Sequence, residues 1–135
     1  MFLLDTNIWL ELLLEQEKAD QVRRLLEREE AWRLALTDFS LHSLGVILTR
    51  LKKHDLYLDL LSDALEDSAV RVIRLDTAGL KEVPAVCLKF GLDFDDAYQY
   101  LAAEKYGLTL VSFDSDFDRT ERGRRTPADV TGLKA

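Results

Sequence analysis

Leu108-Thr109-Leu110-Val111-Ser112-Phe113-Asp114-Ser115-Asp116 reads as a short strand that runs directly into two aspartates. Branched and apolar residues released by Ser and Asp have the composition of a strand followed by a turn. The same form occurs near the start of the chain, in Phe2-Leu3-Leu4-Asp5-Thr6-Asn7. A third acidic group, Asp93-Phe94-Asp95-Asp96, opens the helix that precedes the later strand.

Between these landmarks the pattern alternates helix and strand. Ile8 to Leu14 reads as a helix. Glu17 to Glu29 reads as a second, with Ala19, Val22, Leu25 and Leu26 on one face and charged residues largely on the other. Arg33 to Thr37 reads as a strand, and Thr37-Asp38 starts a helix with Leu44, Ile47, Leu48 and Leu51 toward the core. Another helix is expected over Tyr57 to Leu65. Val70 to Leu75, with Arg71 and Arg74 alternating among branched residues, has a strand signature. A helix follows from Thr77 to Phe90, which Pro84 is expected to kink or break. Gly91 ends it, Asp93 is expected to cap the next, and that helix runs to Gly107. No repeat or linker interrupts the order, so residues 1–135 read as a single α/β domain with a parallel sheet.

In such a sheet, sites form beyond the carboxyl ends of the strands where the strand order reverses, and the first strand usually borders the reversal. If the last strand lies on the other side of the first from the second, Asp114 and Asp116 emerge beside Asp5, and the helix beginning near Asp93 can then present Asp96 to the same cleft. Several carboxylates in one cleft call for a cation. Hard cations such as Mg²⁺ take oxygen ligands and keep waters, which suits hydrolysis at phosphate. His42 and His54 lack ligand spacing, so zinc does not fit.

Composition narrows the alternatives. A formal charge of -7 argues against general electrostatic attraction to nucleic acid and leaves room only for a local basic strip. Arg119, Arg122, Arg124 and Arg125 form one, either to meet RNA phosphates or as an exposed charged turn; sequence does not separate the two. Arg50, Lys52 and Lys53 suit a helix carboxyl end. Cys87 has no partner for an internal disulfide and reads as a small buried residue. No apolar run approaches the roughly 18 residues of a membrane span, so a soluble, cytoplasmic protein is expected.

Each acid also has a purely structural use. Asp5 suits the N-cap of the helix after it. Asp96 suits the acidic first turn of its helix, and Asp114 and Asp116 suit a turn. His42 reads as a partly exposed helix residue, and Trp9 and Trp32 as core or interface residues. A nucleophilic aspartate for phosphoryl transfer fits poorly, because Asp5-Thr6-Asn7 lacks a second aspartate two residues on and no lysine follows the last strand.

The combination carries more than its parts. Leu3-Leu4-Asp5-Thr6-Asn7, Asp95-Asp96-Ala97 at a helix start and Val111-Ser112-Phe113-Asp114-Ser115-Asp116-Phe117, in that order, resemble the PIN-domain nucleases, including the VapC-like toxins of toxin-antitoxin pairs. The resemblance implies a three-layer α/β/α sandwich with a central parallel sheet. It implies Asp5, Asp96 and Asp114 as metal-binding catalytic acids for Mg²⁺ or Mn²⁺, with Asp116 assisting, and Thr6, Asn7 and Ser112 as supporting polar groups. An RNA substrate, a homodimer and an antitoxin protein partner are implied in the same way.

One position departs from that pattern. The family's glutamate on the helix after the second strand falls at Ser43, which can hold a water but brings no charge. Asp38, earlier on that helix, is a candidate substitute and also a candidate cap. Two functions follow as expectations: a metal-dependent endoribonuclease, or an RNA-binding or regulatory protein of the same fold with weakened or lost catalysis.

Overall fold

The computed structural model describes residues 1–132. Four strands form one sheet: β1 (Phe2–Leu4), β2 (Leu34–Thr37), β3 (Arg71–Ile73) and β4 (Thr109–Val111), in the order β3-β2-β1-β4. All pairings are parallel, with Leu3 opposite Ala35 on one side and Leu110 on the other. The intervening helices are α1 (Thr6–Leu13), α2 (Ala19–Arg28), α3 (Asp38–Arg50), α4 (His54–Leu60), α5 (Thr77–Phe90) and α6 (Phe94–Tyr106), and a short α7 (Pro127–Thr131) follows.

Strand alternation divides the interior into two layers. Phe2, Leu4, Leu34, Leu36 and Val111 pack with Ile8 and Trp9 of α1, Val22 and Leu25 of α2, Leu44 of α3 and Leu60 of α4. Leu3, Ala35, Ile73 and Leu110 point the other way, onto Val83 of α5 and Ala97 and Leu101 of α6. Helices therefore cover both faces, which is why β1 and β2 are buried throughout, while the edge strand β3 buries only Ile73.

β2 and β4 flank β1, so the chain leaves β1 toward one edge and returns to the other. That reversal puts the residues after β1 next to those after β4. The Asp5 amide donates to the Val111 carbonyl at 2.9 Å, which ties the two strand ends together.

Local departures from the sequence reading have local causes. Arg33 lies in a 3₁₀ turn, Ala31–Arg33, and β2 begins at Leu34. The fourth helix starts at His54 and passes at Leu61–Glu66 into a π-helical segment. Pro84 does not end α5. The helix continues to Phe90, and proline's missing N–H costs it one interior bond. Asp93 occupies the N-cap position of α6, but its side chain makes no capping bond. Gly91 and Gly107 close α5 and α6 at φ of 65° and 66°, a left-handed conformation that side chains disfavour. α7 went unread although Thr126-Pro127-Ala128-Asp129 spells its start, with a capping box between Thr126 and Asp129 and proline in the first turn. Just before it, Arg125 bridges in parallel to Val111 at the sheet edge. No helix among the described residues is long and apolar enough to cross a membrane.

Candidate metal centre

Asp5 is both cap and cleft residue. Its extended backbone precedes α1, and its Oδ1 accepts from the Thr6 amide at 2.8 Å and from Gln99 Nε2 at 2.9 Å. Its Oδ2 accepts from Ser112 Oγ at 2.7 Å. The residue is only 6% exposed. Burial pushes its pKa up, the three donors oppose that, and the charge of Asp114 adds a smaller upward push.

Those donors are themselves fixed. Gln99 of α6 also donates from Nε2 to Ser40 Oγ at 2.9 Å, and its Oε1 accepts from Thr37 Oγ1 at 2.6 Å. Ser40 Oγ pairs with Thr6 Oγ1 at 2.8 Å, and the Ser40 amide donates to Thr37 Oγ1 at 2.9 Å. Ser112 Oγ accepts from Asn7 Nδ2 at 3.1 Å and from the Asp114 amide at 3.0 Å. Asn7 Oδ1 accepts from the Phe113 amide at 3.2 Å, which clamps the start of α1 to the turn after β4. A buried polar group left without partners is costly, and this network leaves none of these side chains alone.

Above this floor lies the rim. Asp114 Oδ1 accepts from the Asp116 amide at 2.8 Å, an Asx turn that aims the acids of a 3₁₀ segment, Ser115–Arg119. Carboxylate oxygens of Asp96, Asp114 and Asp116 lie within 4.8 Å of one another. Asp93, Asp95 and Asp96 meet the same distance, at the solvent-facing start of α6. Asp96 and Asp114 of the first trio and Asp95 of the second line the cavity over Asp5, and Asp116 is not among its lining residues. Asp5, Asp96 and Asp114, with Thr6, Asn7 and Gln99, line this cavity of about 220 Å³. Burial, then the charges of Asp95, Asp114, Asp5 and Asp116, push the Asp96 pKa up to about 7. A half-buried carboxyl among four others is a site short of positive charge, so a divalent cation fits this donor set.

Ser43 is not among the residues lining this cavity. It lines a neighbouring one of about 530 Å³, together with Asp38, His42 and Arg74. The reason is helical rise: Ser40 meets Gln99, and Ser43 sits three residues farther along α3, about 4.5 Å along the axis. Asp38 does not turn toward the acids either. Its Oδ1 accepts from the Phe39 amide at 2.8 Å and from the Tyr98 hydroxyl at 2.6 Å, and Thr37, not Asp38, is the N-cap of α3.

The four arginines of the basic strip are all engaged. Arg119 donates to the carbonyls of Phe90 (3.1 Å) and Gly91 (2.6 Å) and pairs with Asp116 at 3.2 Å. Arg122 donates to the Leu108 carbonyl at 3.0 Å, and Arg125 to the Asp129 carbonyl at 2.7 Å. Arg124 pairs with Asp118 at 3.1 Å and reaches the Ser112 carbonyl at 3.2 Å. The strip therefore ties the turn after β4 to its surroundings.

Sequence reading missed Gln99, Ser40 and Thr37. Gln99 had a signal: it follows Asp96 by three residues, on the same helical stripe, as the one amide in Ala97-Tyr98-Gln99-Tyr100-Leu101-Ala102. Nothing in the sequence marked Ser40 or Thr37 beyond the helix start.

A parallel α/β/α sandwich that reverses its strand order beside a cleft of aspartates defines a class of acidic-cleft domains. Within it, the PIN domain model matches residues 2–123, and the chain belongs to the PIN domain family. No curated protein sequence matches the chain. A toxin-antitoxin complex from Klebsiella pneumoniae is similar in structure at a TM-score of 0.75 and 20% identity, over 94% of this chain and 98% of that one. VapC20 from Mycobacterium tuberculosis, a sarcin-ricin loop cleaving toxin, aligns at a TM-score of 0.75 and 19% identity over 87% of this chain and 93% of its own. VapBC2 from Rickettsia felis, solved with a DNA fragment from its promoter, gives 0.65 and 17% over 92% and 96%. These likenesses are likenesses of fold.

Proposed function

We propose that the chain is a metal-dependent endoribonuclease, the toxin of a toxin-antitoxin pair, in which Asp5, Asp96, Asp114 and Asp116 hold Mg²⁺ or Mn²⁺. The observation that carries this reading is the convergence of Asp96, Asp114 and Asp116 over a buried, fully bonded Asp5. Membership of the PIN family supports it, as does the toxin identity of the structural neighbours.

When bound, the cation lowers the pKa of a water and offsets charge on the phosphodiester. The chain's own residues do the rest. Ser112, Gln99 and the Thr6 amide hold the Asp5 carboxylate in one orientation. Asn7 keeps Ser112 and the turn bearing Asp114 in register. Asp96 gives up the proton that burial and its acidic neighbours hold on it, so cation uptake releases protons near neutral pH. The soluble unit is a homodimer in this reading, partnered by an antitoxin and acting in the cytoplasm. The arginines of the turn after β4 contribute to RNA binding only by sliding off their carbonyl partners.

The test is cleavage of a structured RNA by the full chain with Mn²⁺ or Mg²⁺. Loss of cleavage in both Asp96→Asn and Asp114→Asn is expected, and undiminished cleavage in both sinks the reading. A second reading, an RNA-binding or regulatory protein with weakened catalysis, is favoured by the position of Ser43 outside the acid cavity, which leaves no glutamate there. It predicts RNA binding and Mn²⁺ binding by calorimetry without turnover; wild-type cleavage rejects it.

A further inference from the structure

Beside the acid cavity, and sharing the Phe39 wall with it, lies the larger cavity of about 530 Å³ at the ends of β2 and β3. Three rings form one side of it. Phe39 and Phe94 lie 6.1 Å apart between centroids, Phe39 and Tyr98 5.4 Å, and Phe94 and Tyr98 6.4 Å. Tyr98 is locked: its hydroxyl donates to Asp38 and accepts from the Leu75 amide at 3.0 Å. Phe94, by contrast, is 49% exposed, on a helix whose third residue is the rim acid Asp96. Val46 and Leu80, lining the same cavity, are also exposed, at 48% and 41%, and an apolar patch of this kind beside a polar cleft marks a binding site.

The polar groups around the rings have spare capacity. Among the described residues, the Arg74 guanidinium, the His42 ring and the Ser43 hydroxyl, all lining the cavity, make no side-chain hydrogen bond. Asp38 Oδ2 accepts none, since both its partners bond Oδ1. An aromatic wall with a few donors and acceptors at its edge matches a planar heterocycle, with stacking on the face and hydrogen bonds on the rim.

We propose that this cavity is a nucleobase subsite, which takes one unpaired base of a nucleotide chain whose phosphate lies over Asp96, Asp114 and Asp116. The proposal rests on the phosphodiester reading of the acid cleft. Phe94 stacks on the base, Phe39 separates base from phosphate, and Arg74, His42, Ser43 and Asp38 read its edge. The chain's overall negative charge makes a stacking contact the more necessary, because phosphate attraction alone is weak here. A base stacked on Phe94 inside the cavity is unpaired, so recognition falls on single-stranded or flipped-out nucleotides and not on duplex.

Fluorescence anisotropy tests this with a dye-labelled eight-nucleotide single-stranded RNA of mixed sequence and an abasic ribose-phosphate chain of equal length. Ca²⁺ replaces Mn²⁺ so that binding is read without cleavage. Phe94→Ala is expected to weaken binding of the base-bearing RNA by about 5- to 150-fold, the range of one lost base stack. It should leave the abasic chain unchanged, while Phe94→Trp restores binding and Leu88→Ala, at an 87% exposed position, has no effect. Equal affinity of the wild type for both chains overturns the subsite. So does Phe94→Ala binding like wild type, or Phe94→Ala shifting a dimer to monomer in sedimentation while RNA affinity holds, which makes the face an interface between copies. Wild-type cleavage of RNA in Mn²⁺ together with any of these leaves the nuclease reading standing, whereas a wild type that neither binds nor cleaves RNA removes both.

Discussion

Asp5 and Asp96 are one residue type in one cavity, held in opposite ways. Asp5 is buried and takes three hydrogen bonds from three different elements. Asp96 takes none from its neighbours among the described residues, and it faces the charges of Asp95, Asp114, Asp5 and Asp116. The floor of the cleft is therefore part of what holds the fold together, whereas burial and like charges strain the rim. Removing one carboxylate or the other should move stability in opposite directions.

The sharpest way to break that contrast is Asp5→Ala. It strips the N-cap of α1 and leaves Gln99 Nε2 without its carboxylate acceptor, with a stability loss of about 2 to 3 kcal/mol expected. Urea unfolding in EDTA measures it, and a loss below about 0.5 kcal/mol, the level of an ordinary surface change, refutes the structural role of the floor. Gln99→Leu comes next. It removes the acceptor of the Thr37 hydroxyl proton and one of the donors to Asp5 but fills similar space, so about 1 to 2 kcal/mol is expected in the same assay.

Asp96→Asn should go the other way. In metal-free protein the Asp96 pKa is raised from 3.8 to about 7. The folded state therefore binds more protons than the unfolded chain between these values, and stability falls as pH rises through that window. Asp5, raised by burial, acts with the same sign. The amide variant should be more stable than wild type at pH 8 by on the order of 1 kcal/mol, discounted because solvent screens a partly open group, and its melting temperature should depend less on pH. Added Mn²⁺ should reverse the order by stabilising wild type alone. Equal pH profiles for the two proteins would mean that the rim carries no charge strain.

The two halves of the cleft also differ in how far they can be read from sequence. The rim acids sit at ends of strands and at a helix start, places marked by local composition, so Asp96, Asp114 and Asp116 could be named and β1 and β4 paired by fold logic alone. The floor is built from contacts distant in sequence: Gln99 reaches residues 94 and 59 positions away in Asp5 and Ser40. A buried glutamine has no local pattern that separates it from a surface one. Ser43 illustrates the converse. Alignment of motif letters placed it at the acid position, but the rise of α3 carries it into the next cavity, while Ser40, three residues earlier, faces Gln99. The basic strip was equally open from sequence, because composition shows charge and not the bonds to the carbonyls of Phe90, Gly91, Leu108, Ser112 and Asp129.

Arg119 offers the finest test, since two effects oppose each other there. Its bonds to the Phe90 and Gly91 carbonyls and to Asp116 link the turn before α6 to the turn after β4, so removing it loosens the distance between Asp96 and Asp116. Its positive charge, however, competes with a cation for Asp116 Oδ1. These contacts are half exposed, so the pair itself stabilises the fold by less than about 1 kcal/mol. A guanidinium about 5 Å from a divalent ion in water repels it by roughly 1.5 kcal/mol before screening. Charge should win at low salt: Arg119→Ala is expected to tighten Mn²⁺ binding several-fold in calorimetry at about 10 mM ionic strength, and the gain should vanish near 0.5 M as the screening length shrinks to a few ångströms. Weaker binding at both salts would mean that Arg119 positions the rim, and that the rim, like the floor, depends on fixed geometry and not on charge alone.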